Sequence, residues 1–161
     1  MSRPVPYAKV EQWLWELPRW KARLELMREQ LLRIPGLTQK FELVAIHGQG
    51  QKNEAILHQV IRKMQLQDIE IPWMELRIEV LEAVIRSLDP AYRQYVKDRY
   101  ILRLPALTVM EKLGITHRTY YRRRKQALEQ VYQFAGGRNS ILDVPDMEFA
   151  HAEESYPPGQ E

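Results

Sequence analysis

Apolar side chains recur at Val10, Trp13, Leu17, Trp20, Leu24, Met27, Leu31 and Ile34, in steps that alternate three and four. That spacing lays one stripe along a helix and predicts a long amphipathic helix over about 7–34. Pro18 falls inside it, where proline removes a backbone donor and crowds the preceding turn. The register runs through Pro18 unbroken, which predicts one kinked helix rather than two. Pro35-Gly36 should stop it. Residues 37–52 start apolar and end in glycines and amides ("GQGQKN"), the composition of a flexible connection.

Further on, Asn53 is placed to cap a short helix carrying Leu57, Val60, Ile61 and Met64. Pro72 suggests another helix start, and Met74, Ile78, Leu81, Ile85 and Leu88 repeat at helical spacing. Asp89-Pro90 reads as an N-cap followed by proline at the first helical position. The helix after it, about 90–102, should bury some of Tyr92, Tyr95, Val96 and Tyr100. A short helix at about 105–113, a turn at Gly114, a cap at Thr116 and a helix at about 117–134 follow. No strand pattern appears, so the predicted fold is all-α. Four segments result: 1–36 as an amphipathic helix, 37–72 as linker and short helix, 73–136 as a helical domain, and 137–161 as a tail rich in proline, glycine and acid, expected to be disordered.

Charge changes the picture. The formal net charge of +3 over 161 residues hides an asymmetry. Residues 136–161 hold one basic residue, Arg138, against six acids, and the rest of the chain is strongly basic. A basic body raises the expectation of a polyanion partner. The charge concentrates in "PALTVMEKLGITHRTYYRRRKQAL". Segment 106–135 has six basic residues and two acidic ones, Glu111 and Glu129. A solvated surface helix would interleave acids for local pairing.

Helix, glycine turn, cap and second helix make a helix-turn-helix pattern. At about 100° per residue, Tyr120, Ala127, Leu128 and Val131 share the core side of the second helix, and Arg118, Arg122 and Lys125 lie opposite. Thr119 and Gln126 flank them. Arg118 and Arg122 are suited to guanine edges, and Thr119 to a base or a phosphate. Arg123 and Lys125 suit phosphate oxygens. Thr116 and the free amides of the first turn suit another phosphate. Arg124 falls on the core side, where its stem can lie on apolar surface with its head outward. The expected DNA-contacting set on these grounds is Thr116, Arg118, Thr119, Arg122, Arg123, Lys125 and Gln126.

These residues carry a resemblance. "LDPAYRQYVKDRYI" and "LTVMEKLGITHRTYYRRRKQALEQV" resemble region four of bacterial sigma factors. More closely, they are similar to phage late-gene transcriptional regulators of the ArpU/RinA type. The likeness covers about residues 73–136, with a fainter one over 7–34. It implies sequence-specific binding of double-stranded DNA and activation of phage or prophage late genes. It places Thr116 at the capping position and His117, Arg118, Thr119 and Arg122 among the DNA-reading positions. Two residues depart from it: Met110 stands where such motifs carry a small alanine, and Arg124 where a leucine is common. Nothing in the chain resembles the sigma segment that binds core polymerase and melts promoters.

The first stripe has two readings. Trp13, Leu17, Trp20, Leu24, Met27 and Leu31 can pair two chains into a homodimer, which would read two half-sites about one helical turn apart. They can equally pack within one chain against the 74–88 stripe. The alternative function is a terminase small subunit that recognises viral DNA for packaging. A third is a protein-binding adaptor without a DNA role. The acidic tail is read as a solubilising segment, with competition for the basic helix or contact with host RNA polymerase as lesser roles.

Other chemistry is not predicted. His47, His58, His117 and His151 have no metal-ligand spacing, "GQGQKN" lacks the lysine-hydroxyl pair of a phosphate loop, and no nucleophile-base or paired-carboxylate grouping stands out. Neither an enzyme activity nor a cofactor is expected. The absence of cysteine, of a long apolar run and of an apolar leader points to a soluble intracellular protein without membrane contact, and the resemblance implies the cytoplasm of a bacterial host cell.

Overall fold

The computed structural model describes residues 4–34 and 50–143. The expected helix stop at Pro35-Gly36, most of the expected linker, His47, His151 and the tail from 144 onward lie outside the described residues. Within them the chain is all-helical. The helices are α1 (Tyr7–Arg33), α2 (Gly50–Gln65), α3 (Ile71–Ser87), α4 (Pro90–Val96), α5 (Ala106–Leu113) and α6 (His117–Phe134). No helix among the described residues is long and apolar enough to cross a membrane.

α1 runs through Pro18 as one element, as its register requires. α2 begins at Gly50, so Asn53 lies inside its first turn rather than ahead of it. Pro72 is the second residue of α3, near the helix start expected of it, but no break precedes that helix. A π-helical turn, Leu66–Glu70, joins α2 directly to α3. The wide turn has a physical reason. A proline lacks a donor for the carbonyl four residues back and its ring crowds that carbonyl, here in Asp68. A second π-helical turn, Lys97–Ile101, extends α4 and closes with the Leu102 N–H donating to the Lys97 carbonyl at 2.8 Å.

The chain divides into two compact units, Met1–Pro18 with Arg77–Glu161, and Arg19–Leu76. The long apolar stripe is therefore shared between them. Val10, Trp13, Leu14 and Leu17 are buried in the first unit with Leu81, Leu88, Tyr95, Tyr100, Val109, Leu128 and Val131. In the second, Trp20, Leu24 and Met27 are buried, along with Leu66, Ile71 and Met74. Of the six stripe residues considered for pairing two chains, five are thus buried within a single chain, and Leu31 is partly exposed. Intrachain packing is sufficient to account for that burial. Among the described residues of the second unit, Arg28 pairs with Glu75 at 2.9 Å and Arg62 with Glu70 at 2.7 Å. Exposed Leu57, Ile61 and Met64 lie along one face of its α2.

Residues 137–143 depart from the expected disordered tail. They form two short 3-10 turns, Gly137–Asn139 and Ile141–Asp143. Leu142 is buried, its N–H donates to Ser140 Oγ at 3.1 Å, and Asp143 pairs with Lys9 of α1. An apolar anchor and an ion pair fix a stretch whose composition alone gives no such signal.

Candidate nucleic-acid interface

The site is built on α5, a three-residue connection and α6. α5 ends because Gly114 takes a left-handed conformation, φ 62° and ψ 37°. The Gly114 N–H then donates to the Glu111 carbonyl and the Ile115 N–H to the Met110 carbonyl, at 3.2 and 3.1 Å. This pair of bonds satisfies carbonyls that a helix end otherwise leaves open. Thr116 caps α6, its Oγ1 accepting from the Thr119 N–H at 3.3 Å and donating to Thr119 Oγ1 at 3.0 Å. No acid occupies the first turn of α6, so the partial positive charge of its N-terminus is not offset there.

The inward side of α6 holds Tyr120, Ala127, Leu128 and Val131, all buried, as the helical spacing predicts. Tyr120 packs edge-on to Tyr95, with ring centroids 5.5 Å apart, and their hydroxyls stand 3.5 Å apart. The Tyr95 hydroxyl also meets that of Tyr100, which donates to Glu11 Oε2 at 2.8 Å. Burial pushes the ionisation of Tyr95 and Tyr100 far above the ordinary tyrosine range, so both act as neutral hydrogen-bonding groups.

Arg124 ends this network. Its guanidinium pairs with Glu11 Oε1 on α1. Burial alone would lower its pKa, but the hydrogen bond and charge of Glu11 outweigh that and raise it. The sequence-based expectation sent its head outward to water; the structure gives it a carboxylate partner instead. The N-terminal half of α1 grips α6 at two further points. Tyr7 Oη donates to Glu129 at 2.5 Å, and Trp13 stacks on Tyr132 with centroids 6.5 Å apart. Trp15 on the same helix receives Arg99 and Arg103 over its ring, at 4.9 and 5.6 Å.

α4 and its π-helical turn hold α5 and α6 from another direction. Asp98 is fully buried and takes hydrogen bonds from Lys112 Nζ at 2.8 Å and from Gln94 Nε2 at 3.0 Å. Burial by itself would raise the Asp98 pKa. The hydrogen bonds from Lys112 and Gln94, with the Lys112 charge, together hold it below the usual carboxylate value. Asp89 sits at the cap position expected of it, but its carboxylate makes no cap bond. It accepts from Gln130 Nε2 at 3.1 Å, while its own N–H donates to Gln130 Oε1 at 2.9 Å.

These contacts sort the charges of α5 and α6. Lys112 and Arg124 have internal partners. Arg118, Arg122, Arg123 and Lys125 have neither an ion pair nor a hydrogen bond among the described residues, and Arg118, Arg122 and Lys125 are exposed. His117 and Thr116 are exposed at the front of α6, and Thr119 is half-exposed. Gln126 is exposed but tethered, its Oε1 accepting from Tyr92 Oη at 3.1 Å. All eight expected contact residues therefore lie on one helix and its cap, with Arg123 toward the edge. The expectation missed Tyr121, which is 48% exposed and packs against His117 at 4.6 Å. Helical spacing already placed it about 60° from Arg118.

The surface is thus a row of unneutralised donors on a braced helix, suited to an anionic partner rich in acceptors. Among the described residues no cluster of three or more His, Cys, Asp or Glu could hold a metal ion. Comparison with protein-family models, curated proteins and solved structures finds no match.

Proposed function

We propose that the protein is a sequence-specific DNA-binding transcriptional regulator that reads the major groove with α6. On this reading α5, the Gly114 turn and α6 act as a helix-turn-helix, with the N-terminal half of α6 entering the groove. One observation carries the reading. Arg118, Arg122 and Lys125 stand exposed without partners on the side of α6 opposite its buried residues, while Lys112, Arg124 and Glu129 have internal partners. Guanidinium groups bond the O6 and N7 acceptors of guanine in pairs, and an ammonium serves a phosphate. The resemblance to phage regulators of the ArpU/RinA type makes activation of phage or prophage late genes the specific form of the proposal, with host RNA polymerase as a further contact.

Self-association as a homodimer is the second element of the proposal. A single α6 presents few reading residues, and two copies would double the contacts. Light scattering on the full chain tests it against the packaging alternative: a dimer fits regulation, and a ring of eight or more chains fits a terminase small subunit. Selection from a random duplex pool, followed by titration in salt, tests DNA binding itself. Log K should fall by about 0.9 per neutralised phosphate for each log unit of salt. A salt-insensitive partner would instead support a protein adaptor.

A further inference from the structure

The reading face has a second chemical character beside its cations. Tyr121 lies about 40° from Lys125 and about 60° from Arg118 around α6, on the flank away from Thr119. Nearly half of its surface is open. The ring is held on two sides: His117 packs against it at 4.6 Å, and Tyr120 meets it edge-on at 5.2 Å and 90°. Tyr120 is itself buried and fixed against Tyr95. Tyr121 thus presents an aromatic face, packed on His117 and Tyr120, beside a row of donors.

The major groove offers many acceptors and donors but one apolar group, the C5-methyl of thymine. The arginines of α6 can only donate, so they can address guanine acceptors and phosphates. The Tyr121–His117 pair supplies the apolar contact they lack. We infer that Tyr121, steadied by His117, is a specificity-determining residue that packs on a thymine methyl beside the bases addressed by Arg118 and Arg122. The inference rests on the DNA-reading function proposed above and adds a base class to it.

The test uses the full chain and a duplex selected from a random pool, resynthesised with deoxyuridine replacing each thymine in turn. Uracil keeps every hydrogen-bonding group and lacks only the methyl. At one thymine per bound copy, the replacement should weaken the wild type about fourfold, the effect of one buried methyl-sized group. Tyr121→Phe should show the same loss, and Tyr121→Ala none. A parallel Arg122→Ala titration on cognate and random duplexes separates the two levels. If Arg122→Ala relaxes base preference while deoxyuridine is silent everywhere, or weakens wild type and Tyr121→Ala alike, the thymine contact is wrong and DNA reading stands. If Tyr121→Phe weakens all sequences alike and deoxyuridine is silent, the hydroxyl serves a phosphate and the inference falls. If no duplex is selected at all, the function beneath it falls as well.

Discussion

Glu11, on the first helix, holds the guanidinium of Arg124 on the last, across 113 residues of sequence. The same carboxylate accepts from the Tyr100 hydroxyl, so one side chain joins α1, the end of α4 and α6. The partnership also accounts for an arginine at position 124. On the inward side of α6 that position meets a carboxylate from α1, which gives a charged side chain a partner there. The first prediction follows from leaving two donors without their acceptor. Glu11→Ala should destabilise the protein by about 1–3 kcal/mol. Arg124→Leu in the same chain should recover part of that loss, a coupling of at least about 0.5 kcal/mol in a double-mutant cycle by urea unfolding. Additive losses would mean the pair is not energetically joined.

Asp98 sets an acid limit. Its carboxyl is held below its ordinary value in the folded state, so its contribution is fully present above about pH 4 and is lost as the pH falls through the depressed folded value. Asp98→Asn should therefore cost stability at neutral pH, by about 1–3 kcal/mol, because Lys112 loses its anion. It should cost progressively less below pH 4. Thermal unfolding across pH 2–7 checks this, and a constant difference between the two proteins would contradict it.

Gly114 is needed for its backbone and not for space. A Cβ built there meets nothing within 4 Å, yet φ is +62°. Gly114→Ala should cost about 1–2 kcal/mol from the left-handed conformation alone. Gly114→Asn should cost less, since asparagine tolerates that region. Equal melting temperatures for the glycine and alanine proteins would show that the turn relaxes.

The exposed arginines and the lysine should behave differently on DNA. Arg122→Ala should cost about 1–3 kcal/mol on the selected site and relax preference at one base position. Lys125→Ala should weaken cognate and random duplexes alike and flatten the salt slope by about 1. Competition binding at two salt concentrations separates the two behaviours. Unchanged affinities for Arg122→Ala on both duplexes would place the reading face elsewhere.

Much of the site was legible in the sequence because its signals are local. The bounds of α6, the Gly114 turn, the Thr116 cap and the buried side of α6 each follow from residues within a few turns of one another. The braces were not legible. Tyr7–Glu129 and Glu11–Arg124 join residues more than a hundred positions apart, and no periodicity links them. The stripe of α1 was visible as a stripe, but its sharing between two compact units depends on what each half packs against. The π-helical turns left no sequence mark beyond Pro72. Residues 137–143 look like loop by composition and are ordered by Leu142 and by the Lys9–Asp143 pair.

Chemical protection of guanine on the selected duplex tests the central claim most directly. Dimethyl sulfate methylates N7, which lies open in the major groove. The wild-type chain should shield specific guanines, and Arg118→Ala and Arg122→Ala should each unmask a different one while the complex persists. A bound complex in which every guanine N7 reacts as it does in free DNA would contradict a reading helix in that groove.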